Sequence, residues 1–291
     1  MPETTKARGL DHLVIGVADL DAAGAFYADL GFRVGARNRH PWGTENRIVQ
    51  FPGAFLELIT VGDASQIPPH APRHFSFGAF VRDALARGEG MSMLVLESRD
   101  STGDANGFRA AGVGDFEPFF FERQARRPDG SEVRVAFSLA FAENQKAPEC
   151  GFFVCQQHEP QNFWNPAFQQ HENGASGLSA VFLVARQPAA QAVFLNAFSG
   201  AESFATPEAG LQLTLPRGRL EVLTPQAAAA RLDGESRQEQ ARFAGFAVAV
   251  PELEPIRSRL VERGVAHRMD GARIIVPAQA AFGCAIQFEM G

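Results

Sequence analysis

Residues 9–32 read GLDHLVIGVADLDAAGAFYADLGF, and residues 177–200 read GLSAVFLVARQPAAQAVFLNAFSG. The two stretches set against each other with almost no adjustment, which marks an internal repeat. In the first, an apolar strand over 11–17 leads into a helix over 20–30. That helix opens after Asp19 and carries Ala22, Ala23, Phe26, Tyr27 and Leu30 at spacings of three and four, and Gly31 suits its end. Strands are expected near 32–36, 46–52 and 54–61, so the unit is βαβββ. In the copy, Leu220-Glu221-Val222-Leu223-Thr224 echoes Leu56-Glu57-Leu58-Ile59-Thr60.

Two more copies complete the pattern. Residues 243–290 hold the strand FAGFAVAV, the helix PELEPIRSRLVERG and strands near 266–269, 272–276 and 284–289. Residues 91–158 hold MSMLVLES as a first strand, a Gly- and Asp-rich helix over 100–112 that ends at Gly112, and a hairpin of 118–124 and 132–141 around Pro128-Asp129-Gly130. GFFVCQQH (151–158) closes that unit, and residues 64–90, rich in proline, histidine and glycine, read as a long connection. One such module cannot cover both faces of its own sheet, so the modules are expected to pair. The expected class is α+β, with a disordered N-terminus (1–8), a first domain over 9–160 (modules 9–63 and 91–158), a linker over 161–176 and a second domain over 177–291 (modules 177–224 and 243–290).

The bulk properties agree. The chain has 291 residues, 45% hydrophobic and 21% charged, which suits two domains with proper cores. Phenylalanine occurs 26 times against one tyrosine and two tryptophans, so aromatic bulk goes to dry packing or to an apolar pocket. The net charge is −6 and no Lys/Arg run is present, which argues against a nucleic-acid partner. Basic residues near 123–134 alternate with acids and read as a solvated hairpin. Cys150, Cys155 and Cys284 are odd in number and widely spaced, as expected of reduced thiols in a cytoplasmic protein. The polar first ten residues do not suit a signal peptide, and no apolar run approaches the roughly 20 residues of a membrane span. GxSxG, GxxxxGK[ST], CxxC and GxGxxG patterns are absent, which leaves serine-hydrolase, P-loop and Rossmann readings without support.

Chemistry concentrates in the first domain. Period-two geometry puts His12, Val14 and Gly16 on one face of their strand and the aliphatic Leu13, Ile15 and Val17 on the face that packs on the helix. Glu57 lies in an otherwise apolar strand, either in a site or paired with an arginine such as Arg47, because carboxylates are rarely buried alone. The loop HPWGTEN (40–46), with His40, Trp42, Thr44 and Asn46, is either a ligand lid or an ordinary glycine turn. Gln156 and His158 share a face with Phe152 and Val154. Gln156 and Gln157, with Asn162, Trp164 and His171, either line the pocket or fasten the linker, and Phe119–Phe121 suit core and dimer packing.

LDHLVIGVADL with its alanine-rich helix and LGF, the loop HPWGTEN, the strand AFLELI and the segment GFFVCQQHEPQNFWNP together resemble the vicinal oxygen chelate superfamily, in particular its glyoxalase-like group. The resemblance covers the N-terminal 160 residues closely and the rest through the βαβββ repeats. It implies paired modules curved around a cavity, with a divalent metal held by the first and last strands of each module. Those positions fall on His12 and Glu57 in the first module, and on Ser92 or a neighbour with Gln156 or His158 in the second. By this resemblance His12, Glu57 and His158 would hold zinc, iron, manganese or nickel, and Ser92 departs from the pattern. His12 and Glu57 would carry catalysis, with Gln156, Trp42, Thr44 and Asn46 contacting substrate.

In the C-terminal half the positions matching His12 are read as Ser179 and Gly245, so Glu221, Glu289 and Gln287 have no histidine beside them. That half is expected to be a structural partner or a metal-free binding module, which argues against an extradiol-type dioxygenase with its iron there. The expected function is a lyase- or isomerase-type enzyme acting on a small molecule with vicinal oxygens. The alternatives are a metal-free binding or sequestering protein, and a scaffold whose role is oligomerisation. The expected partners are a small-molecule ligand and a second copy in a homodimer, with no nucleic acid and no membrane.

Overall fold

The computed structural model describes residues 7–126, 130–206, 210–232 and 240–291. Four βαβββ modules follow one another. The first is β1 (Leu10–Gly16), α1 (Leu20–Asp29), β2 (Asn38–Arg39), β3 (Thr44–Phe51) and β4 (Ala54–Val61). After α2 (Phe77–Arg87) comes the second: β5 (Gly90–Glu97), α3 (Ser101–Ala110), β6 (Phe119–Arg126), β7 (Glu132–Ala142) and β8 (Gly151–Gln157). The short α4 (Pro160–Phe163) leads to β9 (Gly177–Val184), α5 (Ala192–Ser199), β10 (Ser203–Phe204), β11 (Leu211–Thr214) and β12 (Arg219–Leu223). Then α6 (Pro225–Leu232) precedes β13 (Arg242–Val250), α7 (Glu254–Glu262), β14 (Arg268–Met269), β15 (Arg273–Val276) and β16 (Ala285–Met290).

Modules one and two share an eight-stranded sheet of order β2-β3-β4-β1-β5-β8-β7-β6, and modules three and four repeat it as β10-β11-β12-β9-β13-β16-β15-β14. Within a module the first and last strands run parallel, and the modules join through the antiparallel pairs β1·β5 and β9·β13. Alternation then sorts the side chains. Leu13, Ile15, Leu56 and Leu58 point to the helix-bearing face with Leu20, Ala23 and Tyr27 of α1, inside one core that also takes Val181, Leu183, Phe246 and Phe288 of the other sheet. Phenylalanine pairs cross between the halves, with Phe152 and Phe194 at 4.8 Å and Phe26 and Phe282 at 5.6 Å between ring centroids. Phe152 and Phe194 are buried and contribute roughly 1.5–3 kcal/mol each, and the half-buried Phe26 and Phe282 less.

Local signals explain most boundaries. Asp19 caps α1 by accepting hydrogen bonds from the amides of Asp21 and Ala22, and Gly31 leaves it at φ +89°, where a Cβ would stand 2.9 Å from that of Asn173. Three expectations change. Residues 32–37 form no strand, because Phe32 turns into the core against Phe51 while Gly35 bonds back to Ile48, so the edge strand is the two-residue β2. The connection over 64–90 contains α2, capped by Ser76 and followed by Gly88. A further helix, α6, precedes β13. Of the N-terminus expected to be disordered (1–8), residues 1–6 lie outside the described residues, as does the Pro128-Asp129 turn within 127–129. Arg8 is fixed through the Phe198 carbonyl and an ion pair with Asp104. Among the described residues no helix is long and apolar enough to cross a membrane.

Candidate functional site

The concave face of the first sheet encloses a cavity of about 60 Å³. Its wall comes from alternate residues of six strands: His12 (β1), Asn46 and Ile48 (β3), Phe55 and Glu57 (β4), Phe121 and Arg123 (β6), Phe137 and Leu139 (β7), and Phe153 and Cys155 (β8). His40, Trp42, Phe77 of α2 and Phe163 of α4 close it. Six of the 26 phenylalanines line this cavity, and others fill the core on the opposite face of the sheet.

His12 and Glu57 face each other across this cavity, both buried, with Nε2 3.9 Å from Oε2. On β1, Leu10 pairs with Leu96 and His12 with Val95, so Asp11 is an extra residue, a β-bulge. The bulge brings the buried Asp11 beside its neighbour, where Oδ1 accepts the Nδ1 hydrogen of His12 at 2.5 Å while Oδ2 accepts from Gln157 at 3.0 Å. A carboxylate only accepts, so Nδ1 of His12 carries a proton and Nε2 is the ring nitrogen turned to the cavity.

The second imidazole is His40. Its Nε2 lies 4.0 Å from Oε1 of Glu57, and its Nδ1 is 2.8 Å from the Thr44 hydroxyl. The Asn46 amide donates to Oε1 of Glu57 at 2.6 Å and lies 3.3 Å from Nε2 of His40. Gly43 makes the turn that carries His40: it sits at φ +80°, and a Cβ would lie 2.3 Å from the Asp63 carbonyl. Burial pulls the imidazole of His40 below its ordinary pKa, with Glu57 opposing and Arg123 assisting, so His40 is neutral at neutral pH. Burial and the carboxylates of Asp11 and Glu57 push the Cys155 thiol well up, so it stays protonated.

The expected residues divide accordingly. His12, Glu57, Trp42 and Asn46 meet in the cavity, while Thr44 stands behind His40 and belongs, like Asn46, to β3 and not to a loop. His158 and Gln156 do not join them. Phe153 and Cys155 face the cavity, so Phe152, Val154 and Gln156 face the other way. Gln156 accepts from the Ser101 amide and donates to the Arg99 carbonyl beside α3, and His158 contacts the Ser138 hydroxyl at 2.8 Å and the ring of Phe120. Ser92 is the extra residue of a second bulge and donates to the Val14 carbonyl. The second module's residues at the positions of His12 and Glu57 are Met93 and Phe153, by the matching strand registers. Arg47 is engaged by Asp21 and the Gly35 carbonyl, not by Glu57.

Arg123 corrects the reading of a solvated hairpin. Arg134 does pair at the surface with Glu122 and Glu159, but Arg123 is half-buried and its guanidinium lines the cavity. The segment after β8 both fastens and lines. His171 accepts from the Arg33 amide and donates to the Gln50 carbonyl, and Gln50 bonds the backbone of Phe163 and Asn165.

The second sheet repeats the frame with different contents. Register puts Ala180, not Ser179, at the position of His12, and Glu221 at that of Glu57. Arg219 binds both Glu221 and Glu289, and Arg231 of α6 reaches in to Glu221 and Gln287, with its guanidinium 4.5 Å from the centre of the Phe182 ring. Two arginines against two carboxylates neutralise this face.

Among the described residues no three His, Cys, Asp or Glu side chains are drawn together as a closed metal-binding group. The donor chemistry of His12, His40 and Glu57 nonetheless fits a divalent first-row ion: two lone-pair nitrogens flank one carboxylate, and each imidazole has its Nδ1 held by an oxygen partner.

The family model described as "Glyoxalase-like domain" matches residues 10–197, well over half of the chain. Solved structures share the fold. A hypothetical protein from Staphylococcus aureus matches with TM-score 0.68 at 12% identity, covering 98% of this chain and 100% of that one. A triple mutant of 4-hydroxymandelate synthase from Streptomyces coelicolor matches with TM-score 0.60 at 13% identity, over 98% and 92% of the two chains. The Mn(II)-bound glyoxalase from Novosphingobium aromaticivorans matches with TM-score 0.55 at 13% identity, over 97% and 82%. No curated protein matches.

Proposed function

The chain belongs to the glyoxalase-like domain family of the vicinal oxygen chelate superfamily, and from that premise we propose that it is a lyase- or isomerase-type enzyme that moves a proton on a small molecule bearing adjacent oxygens. One observation carries this reading: the Nε2 atoms of His12 and His40 lie 3.9 and 4.0 Å from the two oxygens of Glu57 in the wall of a largely apolar cavity. Glu57 is the base. Its Oε1 is held by Asn46, while Oε2, which accepts no hydrogen bond among the described residues, faces the space where a substrate C–H enters. The phenylalanine wall excludes water, so charge developing on the substrate oxygens is stabilised by few, fixed groups. His12, His40 and Glu57 would hold a divalent ion, which would supply Lewis acidity toward those oxygens. Asp11 holds Nδ1 of His12, which turns Nε2 to the cavity, and burial keeps His40 neutral.

The test has two parts. Metal content of the purified chain, after exposure to manganese, zinc, iron and nickel in turn, is measured by mass spectrometry for the wild type and for His12→Ala/Glu57→Ala. Exchange of the carbon-bound protons of hydroxyacetone and acetoin is followed in deuterium oxide by NMR. Stoichiometric metal and proton exchange, both lost in the double variant, support the reading. Absence of both overturns it in favour of a binding protein, for which one observation already speaks: Asn46 and the charge of Arg123 compensate Glu57 without an ion.

A further inference from the structure

A groove of about 420 Å³ adjoins the cavity and shares Ile48, Arg123 and Phe163 with it, so Arg123 stands at the junction of a small inner chamber and a larger outer one. The charged side chains lining the groove are Arg33 and Arg123; among the described residues no carboxylate lines it. Neither guanidinium makes a hydrogen bond or salt bridge among the described residues. Arg33 lies over the ring of Phe168 at 5.7 Å, and the charge of Arg123 reaches only Glu57 and His40. Many other guanidiniums are held: Arg37, Arg47, Arg134, Arg219 and Arg231 each bind a carboxylate. A half-buried guanidinium without such a partner costs stability, and its planar fork matches a carboxylate.

We propose that the groove binds an organic acid, whose carboxylate docks on Arg123 at the junction and whose apolar body lies along Val34, Val133, Val135 and Phe168. Glu57 repels a second anion from the inner chamber, which has room for only a few atoms, so the group beyond the carboxylate is small and uncharged. That this group carries the adjacent oxygens rests on the function proposed above; the contact between Arg123 and the carboxylate does not. Arg123 is thus a specificity-determining residue, and Arg33 adds long-range attraction from the rim.

Equilibrium binding to the full chain decides the matter, with three probes measured by calorimetry: 3-phenylpropionate, its neutral amide and phenyl phosphate. The wild type is expected to bind the acid at least tenfold more tightly than the amide, and more tightly than the phosphate. Arg123→Gln should lower affinity for the acid at least tenfold and leave that for the amide unchanged, Arg123→Lys should retain part of the preference, and Arg33→Gln should cost less than Arg123→Gln. Equal affinity of the wild type for acid and amide overturns the proposal even if Arg123→Gln fails to fold. A preference that survives in Arg123→Gln overturns it too, and tighter binding of the phosphate through Arg123 replaces the carboxylate by a phosphate. The measurement needs neither metal nor turnover, so a failure of the proton-transfer reading leaves its outcome intact.

Discussion

The Asp11 carboxylate and the His12 imidazole, consecutive in sequence, stand 2.5 Å apart because a bulge in β1 brings both to bear on one site. A regular strand would have sent them to opposite faces. Asp11→Asn removes the charge that holds the ring, and loss of such an outer partner commonly costs a site 10–100-fold in metal affinity. We expect that loss in a competition titration against a chelating dye, with the urea midpoint almost unchanged. Unaltered metal affinity would reduce Asp11 to a structural residue.

His40 and His158 make the sharpest contrast within the first domain. His40 faces Glu57 inside the cavity, whereas His158 lies on the opposite face against Ser138. His40→Ala is therefore expected to abolish stoichiometric metal uptake and substrate proton exchange, and His158→Ala to leave both within twofold of wild type. The reverse result would restore the ligand set expected from the sequence.

These two histidines also show where sequence reading stops. Strand-helix periodicity and the gap-free correspondence of 9–32 with 177–200 are local properties, so the modules and their pairing were legible. His12 and Glu57 were legible because each is a polar residue in an apolar strand. The parity of β8 was not: GFFVCQQH is apolar on both faces for five residues, so nothing in it says whether Gln156 or Gln157 faces inward. Asp11 was hidden by a bulge that exists only through pairing with β5. His40 stood in a stretch read as a lid or a turn, and only the turn at Gly43 brings it over Glu57. Arg123 lies in a hairpin whose other charges are solvated, and alternation alone could have flagged it, since it shares a face with Phe119 and Phe121.

Acid should loosen the metal-free fold before the carboxylates of Asp21 and Glu45 are protonated. Burial holds both His40 and His171 below the ordinary value of 6.5, so in that range the unfolded chain binds protons that the folded chain refuses. The contribution of the neutral imidazoles is intact above about pH 6.5 and is lost as pH falls through that value toward the folded pKa. Glu45 and Asp21, held low by arginine hydrogen bonds, act only below about pH 4.5. The urea midpoint in the presence of a chelator is expected to fall between pH 7.5 and 5.5, and to fall less in His40→Gln/His171→Gln. A midpoint independent of pH over this range would show that neither imidazole stays neutral.

Glu57 and Glu221 occupy corresponding positions of the two sheets, and their neutralisation differs in kind. Glu221 is fixed by Arg219 and by Arg231, with its side chain 5% exposed, so Glu221→Gln leaves two guanidiniums short of their counter-charge. Breaking a buried pair on one side typically costs about 3–5 kcal/mol. Glu57 is held by the Asn46 amide and has no salt bridge to an arginine among the described residues, so Glu57→Gln removes an anion from an apolar cavity and costs Arg123 only an unbonded counter-charge. It should cost less than Glu221→Gln, because no hydrogen-bonded ion pair is broken. Urea unfolding of the two variants at pH 7.5 is therefore expected to lower the midpoint strongly for Glu221→Gln alone, while metal uptake is lost for Glu57→Gln alone. Equal losses of stability would mean that Glu57 serves the fold as Glu221 does, and the first cavity would then be no more a site than the second sheet's filled face.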